Sequence, residues 1–167
     1  MAEPGAGDPT ALARDEAAFA EIAVALGDAI DAALEGWVRR VVTERSTAAG
    51  VPVDAAAVDD AATRCRAEVS PQVRALLGAD LDDQRSTPLA LLRRAVVYPT
   101  EVLRSGGVPP VRRDEFAVRA FPEDVYALSP ASFGDLDESV HEPGLVWGAA
   151  KAHVHLARRA ARSDRAD

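Results

Sequence analysis

The chain has 167 residues, 48% of them hydrophobic and 28% charged, which is the size and balance of one globular domain. Its net charge is -8, and a nucleic-acid partner is not expected because such a surface repels a phosphate backbone. The sequence has no apolar run long enough for a membrane span, so no membrane association is expected. It has no secretory signal pattern and only one cysteine, Cys65, so no internal disulfide is possible and a cytoplasmic location is expected.

The first predicted element is one long helix over residues 9–48. Residues 1–8 are small and acidic, which predicts a disordered tail, and Asp8-Pro9 then supplies a cap and a first-turn proline. Gly50 and Pro52 end the helix. Between these limits an apolar stripe recurs at helical spacing: Leu12, Phe19, Ile22, Leu26, Ile30, Leu34, Trp37 and Val41.

The second predicted helix begins after a cap at Asp54 and ends before a polar connection over residues 78–85. Ser70-Pro71 interrupts its pattern, either by starting a new short helix or by kinking a continuous one. Cys65 lies on the apolar stripe of this helix, with no partner motif around it. It is therefore interpreted as a small buried hydrophobic residue rather than as a reactive thiol.

Thr87-Pro88 opens the third predicted helix, whose apolar pattern continues past Pro99 to the stop at Gly106-Gly107. The pattern predicts one helix kinked at Pro99. Pro109-Pro110 then starts a shorter helix, which ends before Pro122.

An irregular, aromatic-rich segment follows over residues 122–143, and a last helix runs to about residue 162. No stretch alternates like a β-strand. The sequence therefore predicts an all-α fold: a helical bundle of three long helices plus a short helix, the irregular segment and a C-terminal helix. Residues 9–163 would form a single domain, followed by a disordered tail over 164–167.

His153 is the main candidate for a functional residue. On a helical wheel it falls within the apolar arc of the last helix, where an imidazole needs a hydrogen-bond partner, and an acid from residues 123–142 would supply it. With Tyr98 and Trp147 as walls, these groups would form a candidate ligand pocket of a small-molecule binder or enzyme. The other interpretation is a core histidine that fixes the irregular segment to the last helix.

Motifs for common cofactors and metals are absent from the sequence. It has no phosphate-binding glycine loop, no histidines three or four apart on a helix, no cysteine pair and no Gly-x-Ser-x-Gly, so no cofactor is expected. His141, Glu142 and Glu138 offer ligands for an oxygen-rich metal site. Acids near a solvated helix start explain the same residues and are the favoured interpretation.

The length of the first helix predicts a protein partner. Some 40 residues extend over about 60 Å, which exceeds a domain whose expected radius of gyration is ~15 Å. Part of the apolar stripe would then be bare in a monomer, so a homodimer or another protein partner is predicted to cover it. The favoured function is a non-catalytic protein-protein interaction or regulatory module.

Four phrases in the C-terminal half carry a resemblance: RRAVVYPTEVL, GVPPVRRDEFA, AFPEDVYALSPASF and HEPGLVWGAAKAHV. Over about residues 93–158 the chain resembles a family of uncharacterised helical proteins from actinobacteria. The resemblance implies a helical fold, brings no activity with it, and assigns no catalytic residue.

Overall fold

A computed structural model describes residues 9–166, and these residues contain helices and connections but no β-strand. The all-α prediction is confirmed. The disordered tail predicted over 1–8 lies outside the described residues. The α-helices are α1 (Pro9–Ala49), α2 (Ala55–Gly78), α3 (Pro88–Arg94), α4 (Val97–Ser105), α5 (Glu115–Ala120) and α6 (His141–Ser163).

Helix α1 forms one wall of the core along most of its 41 residues. From Phe19 to Val41 the stripe is buried or half-buried, because α2 packs along it and α4 and α6 also contact α1. The expectation that part of this stripe stays bare is therefore wrong. Gly27 allows the close approach of α2, since a Cβ there would lie 3.1 Å from Cγ of Arg74.

Helix α2 is continuous through Pro71, which settles the alternative that the sequence left open. Its first turn is capped by Asp54, whose carboxylate accepts from the amides of Ala56 and Ala57. Cys65 is fully buried, and burial raises the pKa of its thiol to about 12, as expected for a structural cysteine.

The third predicted helix is two short helices, α3 and α4, and the break lies at Ala95-Val96 rather than at Pro99. Pro99 is the third residue of α4, where the absence of an N–H costs no helical hydrogen bond. The Ala95 carbonyl, which Pro99 cannot serve, accepts instead from the amide of Tyr98. The long helices are therefore α1, α2 and α6.

The short helix α5 begins at Glu115, five residues later than Pro110. The carboxylate of Asp114 caps it by accepting from the amide of Ala117 at 2.7 Å. The chain before Asp114 is irregular and is held beside residue 125, since the Val111 amide donates to the Val125 carbonyl.

The segment before α6 is irregular, with two short 3-10 turns, Phe133–Asp135 and Glu138–Val140. Buried Tyr126 donates its hydroxyl to the Val108 carbonyl, which ties the segment to the end of α4. Its acids bind nearby backbone: Asp124 accepts from the amides of Leu128 and Ser129. None of the described helices combines the length and apolar character that crossing a bilayer requires.

Candidate interaction surface

Helix α6 packs on the body through a mixed face, in which polar side chains lie beside small and apolar residues. Its inward side includes Gly144, Lys151 and Val154, all buried. Lys151 donates from Nζ to the Leu76 carbonyl at 3.2 Å and to Oε1 of Gln84 at 2.6 Å. Burial lowers the pKa of this lysine, whose hydrogen-bond partners are both neutral.

The ring of Trp147 lies beside this lysine, with its centroid 4.9 Å from the Lys151 nitrogen. The indole nitrogen donates to the Leu77 carbonyl at 3.0 Å, and Phe133 contacts the ring edge-to-face. A cation over an aromatic face is stabilised by the ring quadrupole, so Trp147 partly compensates the burial of the lysine.

A network of ion pairs holds the C-terminal half of α6. Arg158 bridges Asp80 at 2.6 Å and Glu16 at 2.7 Å, and thereby joins the loop after α2 to the start of α1. Arg162 pairs with Asp82 at 2.8 Å. Burial alone would raise the pKa of Asp80, but the Asp82 amide and the Arg158 guanidinium outweigh it, and the pKa lies below its ordinary value.

The same network contains the one group of three metal-type ligands that converges among residues 9–166: Asp80, Asp82 and His155. Arg158 and Arg162 already neutralise the two carboxylates. The group therefore acts as an ion-pair cluster. The oxygen-rich trio considered from the sequence, Glu138, His141 and Glu142, does not converge in the described structure.

The predicted burial of His153 is wrong. Its side chain is 66% exposed, and Nε2 lies 2.9 Å from Oδ2 of Asp15 on α1, not from an acid of residues 123–142. The wheel places His153 among apolar residues, but this arc is divided: Val154 faces the body, and His153 faces solvent. Three acids of the irregular segment bind amides of their own turns instead: Asp124, Asp135 and Asp137.

Tyr98 and Trp147, the other two candidate pocket residues, have different surroundings. Tyr98 is buried and donates its hydroxyl to Glu68 on α2 at 2.6 Å, with the Arg64 guanidinium over its ring. Burial and the Glu68 carboxylate raise the pKa of this phenol. Trp147 contacts Leu77 and Phe133, so the structure does not bring Tyr98, Trp147 and His153 together around one cavity.

The outward side of α6 carries several of the apolar residues that the sequence predicts to be buried. Leu145 is 63% exposed and Leu156 64%, on a helix whose lysine is buried. We call this surface the α6 outer face. It consists of Leu145, Val146, Ala149, Ala152, His153 and Leu156, all exposed.

A separate cleft of about 320 Å³ lies beside α4. Arg94 and Arg104 line it without an ion pair to any described residue, and Glu123 lines it as well. Thr100 contributes a buried hydroxyl that has no hydrogen-bond partner. The cleft walls contain no histidine and no cysteine, and their charged groups are arginines and the carboxylate of Glu123.

The chain matches no protein-family model, no curated protein and no solved structure. The resemblance to uncharacterised actinobacterial proteins therefore stays a prediction.

Sequence reasoning missed the α6 outer face as a candidate surface. One signal was present in the sequence. The single lysine and three basic residues of α6 share one arc of the helix, and the N-terminal half of the chain has 16 acids against 8 bases. Acids of that half can therefore neutralise the basic arc. An acid-rich body attracts the basic arc and leaves the apolar arc outside. The net charge of each half was thus more informative here than hydrophobicity alone.

Proposed function

We propose that the protein is a non-catalytic interaction module that binds a protein through the α6 outer face. The observation that carries the proposal is the exposure of Leu145, Val146 and Leu156 on one side of a helix whose single lysine is buried on the other side. Exposed apolar patches of this kind mark interaction sites in proteins. An ordinary amphipathic helix would turn its apolar side chains toward the body. The exposed apolar arc of α6 is therefore interpreted as a binding surface for a partner.

Several polar groups of α6 support a non-catalytic role because they already have structural partners. His153 pairs with Asp15, and His155 lies near Asp80, which Arg158 neutralises. The thiol of Cys65 is buried and its pKa is raised, which fits a packing role. The single free cysteine is also in keeping with a cytoplasmic protein. Membership of the family of uncharacterised helical proteins from actinobacteria remains part of the proposal.

A photo-crosslinking side chain placed at Ala149 tests the proposed function. Ala149 lies in the middle of the α6 outer face, and the matched control is Ala67, an exposed alanine of α2. In cells that naturally contain the protein, illumination should yield a crosslinked protein from position 149 and not from position 67. Mass spectrometry identifies the product. Equal or absent crosslinking at the two positions would refute the α6 outer face as a binding surface.

A further inference from the structure

We infer that the partner on the α6 outer face is a second copy of this chain, with the two α6 helices antiparallel about a two-fold axis. The inference rests on the proposed function and names the occupant of the same surface. Three observations carry it: the spacing of the exposed residues, their symmetry along the helix, and the charges at the two ends.

The spacing is that of a coiled-coil seam. Steps of 3, 4, 3, 4 and 3 residues separate six exposed positions of α6: Glu142, Leu145, Ala149, Ala152, Leu156 and Arg159. Steps alternating between three and four residues define the a and d positions of heptads, where one helix packs along another. At about 100° per residue these six positions share an arc of roughly 100°. The body of the same subunit contacts the other side of α6, so a second helix has access to the seam.

The seam is symmetric about the midpoint between Ala150 and Lys151. Reversing the helix direction superposes Leu145 on Leu156 and Ala149 on Ala152. Two antiparallel copies would therefore meet leucine against leucine and alanine against alanine, each pair occurring twice. A two-fold interface requires this self-complementarity, because one surface patch serves both subunits. A second copy of the chain is therefore sufficient to pair every position of the seam.

The charges at the ends select the antiparallel orientation. Glu142 and Arg159 are exposed and form no ion pair with any described residue. In the antiparallel register each Glu142 meets the Arg159 of the partner subunit. In a parallel register Glu142 would face its own copy and Arg159 its own copy, which places like charges together. The helix dipoles also favour the antiparallel orientation, because the positive end of each helix then lies beside the negative end of the other.

The size of the seam indicates a weak dimer. From Glu142 to Arg159 the seam extends over about 26 Å, and one helix pair of this length lies at or below the low end of specific interfaces, about 1,200 Å². Alanine at the two central positions lets the helix axes approach closely, which improves packing in the middle of the seam. We expect dissociation constants on the order of micromolar or weaker.

Charge exchange across the seam tests the inference in the full chain. Sedimentation equilibrium of the wild type should show a monomer-dimer equilibrium. E142R alone or R159E alone should raise the dimer Kd about tenfold, because each substitution creates two like-charge pairs per dimer and an exposed pair contributes up to ~1 kcal/mol. The double variant E142R/R159E should restore the wild-type Kd, since it reverses both pairs.

Matched variants separate the register from general effects of charge. E21R and R112E change the same charges at exposed positions outside α6 and should leave the Kd unchanged. Circular dichroism should show equal helix content in all variants. If E142R acted by unfolding the start of α6, the second substitution, 17 residues away, would not restore the dimer.

The outcomes distinguish this inference from the proposed function. A wild type that stays monomeric at several hundred micromolar, or a double variant as weak as the single variants, overturns the antiparallel homodimer. The proposed function survives that result if Ala149 crosslinks specifically to a different protein. Absence of any specific crosslink at Ala149 overturns both.

Discussion

Lys151 on α6 is the single lysine of the chain. It is buried, and its two hydrogen-bond partners, the Leu76 carbonyl and Gln84, are neutral. Removing an ammonium from water is costly, and here two hydrogen bonds and the face of Trp147 offset the cost. Burial lowers its pKa, so its charged form is less favoured in the folded protein than in the unfolded chain. The side chain therefore fixes the orientation of α6 and depends on that orientation for its own solvation.

We predict that Lys151 reacts slowly with an amine-specific ester while the protein is folded. Its lowered pKa favours the reactive neutral amine, but the buried position limits access, and access should decide. In the variant R112K, Lys151 should acquire the label more than about tenfold more slowly than the exposed lysine at position 112, because reaction at Lys151 requires local opening of α6. Peptide mass spectrometry at several times measures both rates. Equal rates in native buffer would contradict the burial of Lys151, and the rates should converge in denaturant.

At the scale of the element, α6 depends on glycine where Phe133 packs against its first turn. A Cβ at Gly144 would lie 2.5 Å from Cδ2 of Phe133, which is closer than packed atoms approach. G144A should therefore destabilise the protein by about 1–3 kcal/mol, the usual cost of overpacking a core. Urea unfolding measures the change.

Gly36 provides the control for that substitution. It lies inside α1, is exposed, and has no neighbouring atom within 4 Å of an added Cβ. G36A should stabilise the protein by up to about 1 kcal/mol, because alanine is the better helix former. The opposite signs of the two substitutions test the packing of α6, since helix propensity alone would make both stabilising.

The same scale shows which elements the sequence could predict. The bounds of α1 and α2 follow from Asp54, Gly50 and a regular apolar stripe, all of which act locally. The apolar pattern predicts a kink at Pro99 inside one helix, whereas Pro99 lies in the first turn of α4 and the break is at Ala95-Val96. Pro109-Pro110 likewise predicts the start of α5, whereas the cap is Asp114.

The candidate pocket failed for a different physical reason. Helical periodicity shows that His153 shares an arc with apolar residues, but it does not show which arc of α6 faces the body. That choice depends on contacts with residues far away in the sequence, such as Asp15, Asp80 and Glu16. Local patterns contain no information on these long-range contacts, which accompany the observed orientation of α6.

At the scale of the whole molecule, carboxylates join the helices. Asp31 of α1 binds Arg66 of α2 at 2.8 Å, and Asp80 and Asp82 bind α6. The hydrogen bond with Arg66 lowers the pKa of Asp31, and the Arg158 pairing contributes to the lowered pKa of Asp80. These groups are partly solvent-exposed, so salt weakens each pair. Together they connect α1, α2, the following loop and α6.

We predict that acid destabilises the protein in the pH range where these carboxylates gain protons. A carboxyl whose pKa is lowered by folding stabilises the folded state above its unfolded pKa, about 3.9 for aspartate. As the pH falls below that value the unfolded chain binds more protons, so the free energy of unfolding decreases until the folded pKa is passed. Urea unfolding between pH 7 and pH 2.5, at protein concentrations that keep the chain monomeric, measures the decrease.

The variant D31N tests the contribution of one of these groups. It should be less stable than the wild type at pH 7, because the charged contact with Arg66 is lost, and it should lose less stability between pH 5 and pH 2.5. D83N is the matched control, since Asp83 is exposed and its carboxylate has no ion pair with a described residue. An unchanged pH dependence in D31N would show that the Asp31–Arg66 contact contributes nothing in solution. The stabilities of D31N and wild type should approach each other as the pH falls, because protonation of Asp31 removes the charge that D31N lacks.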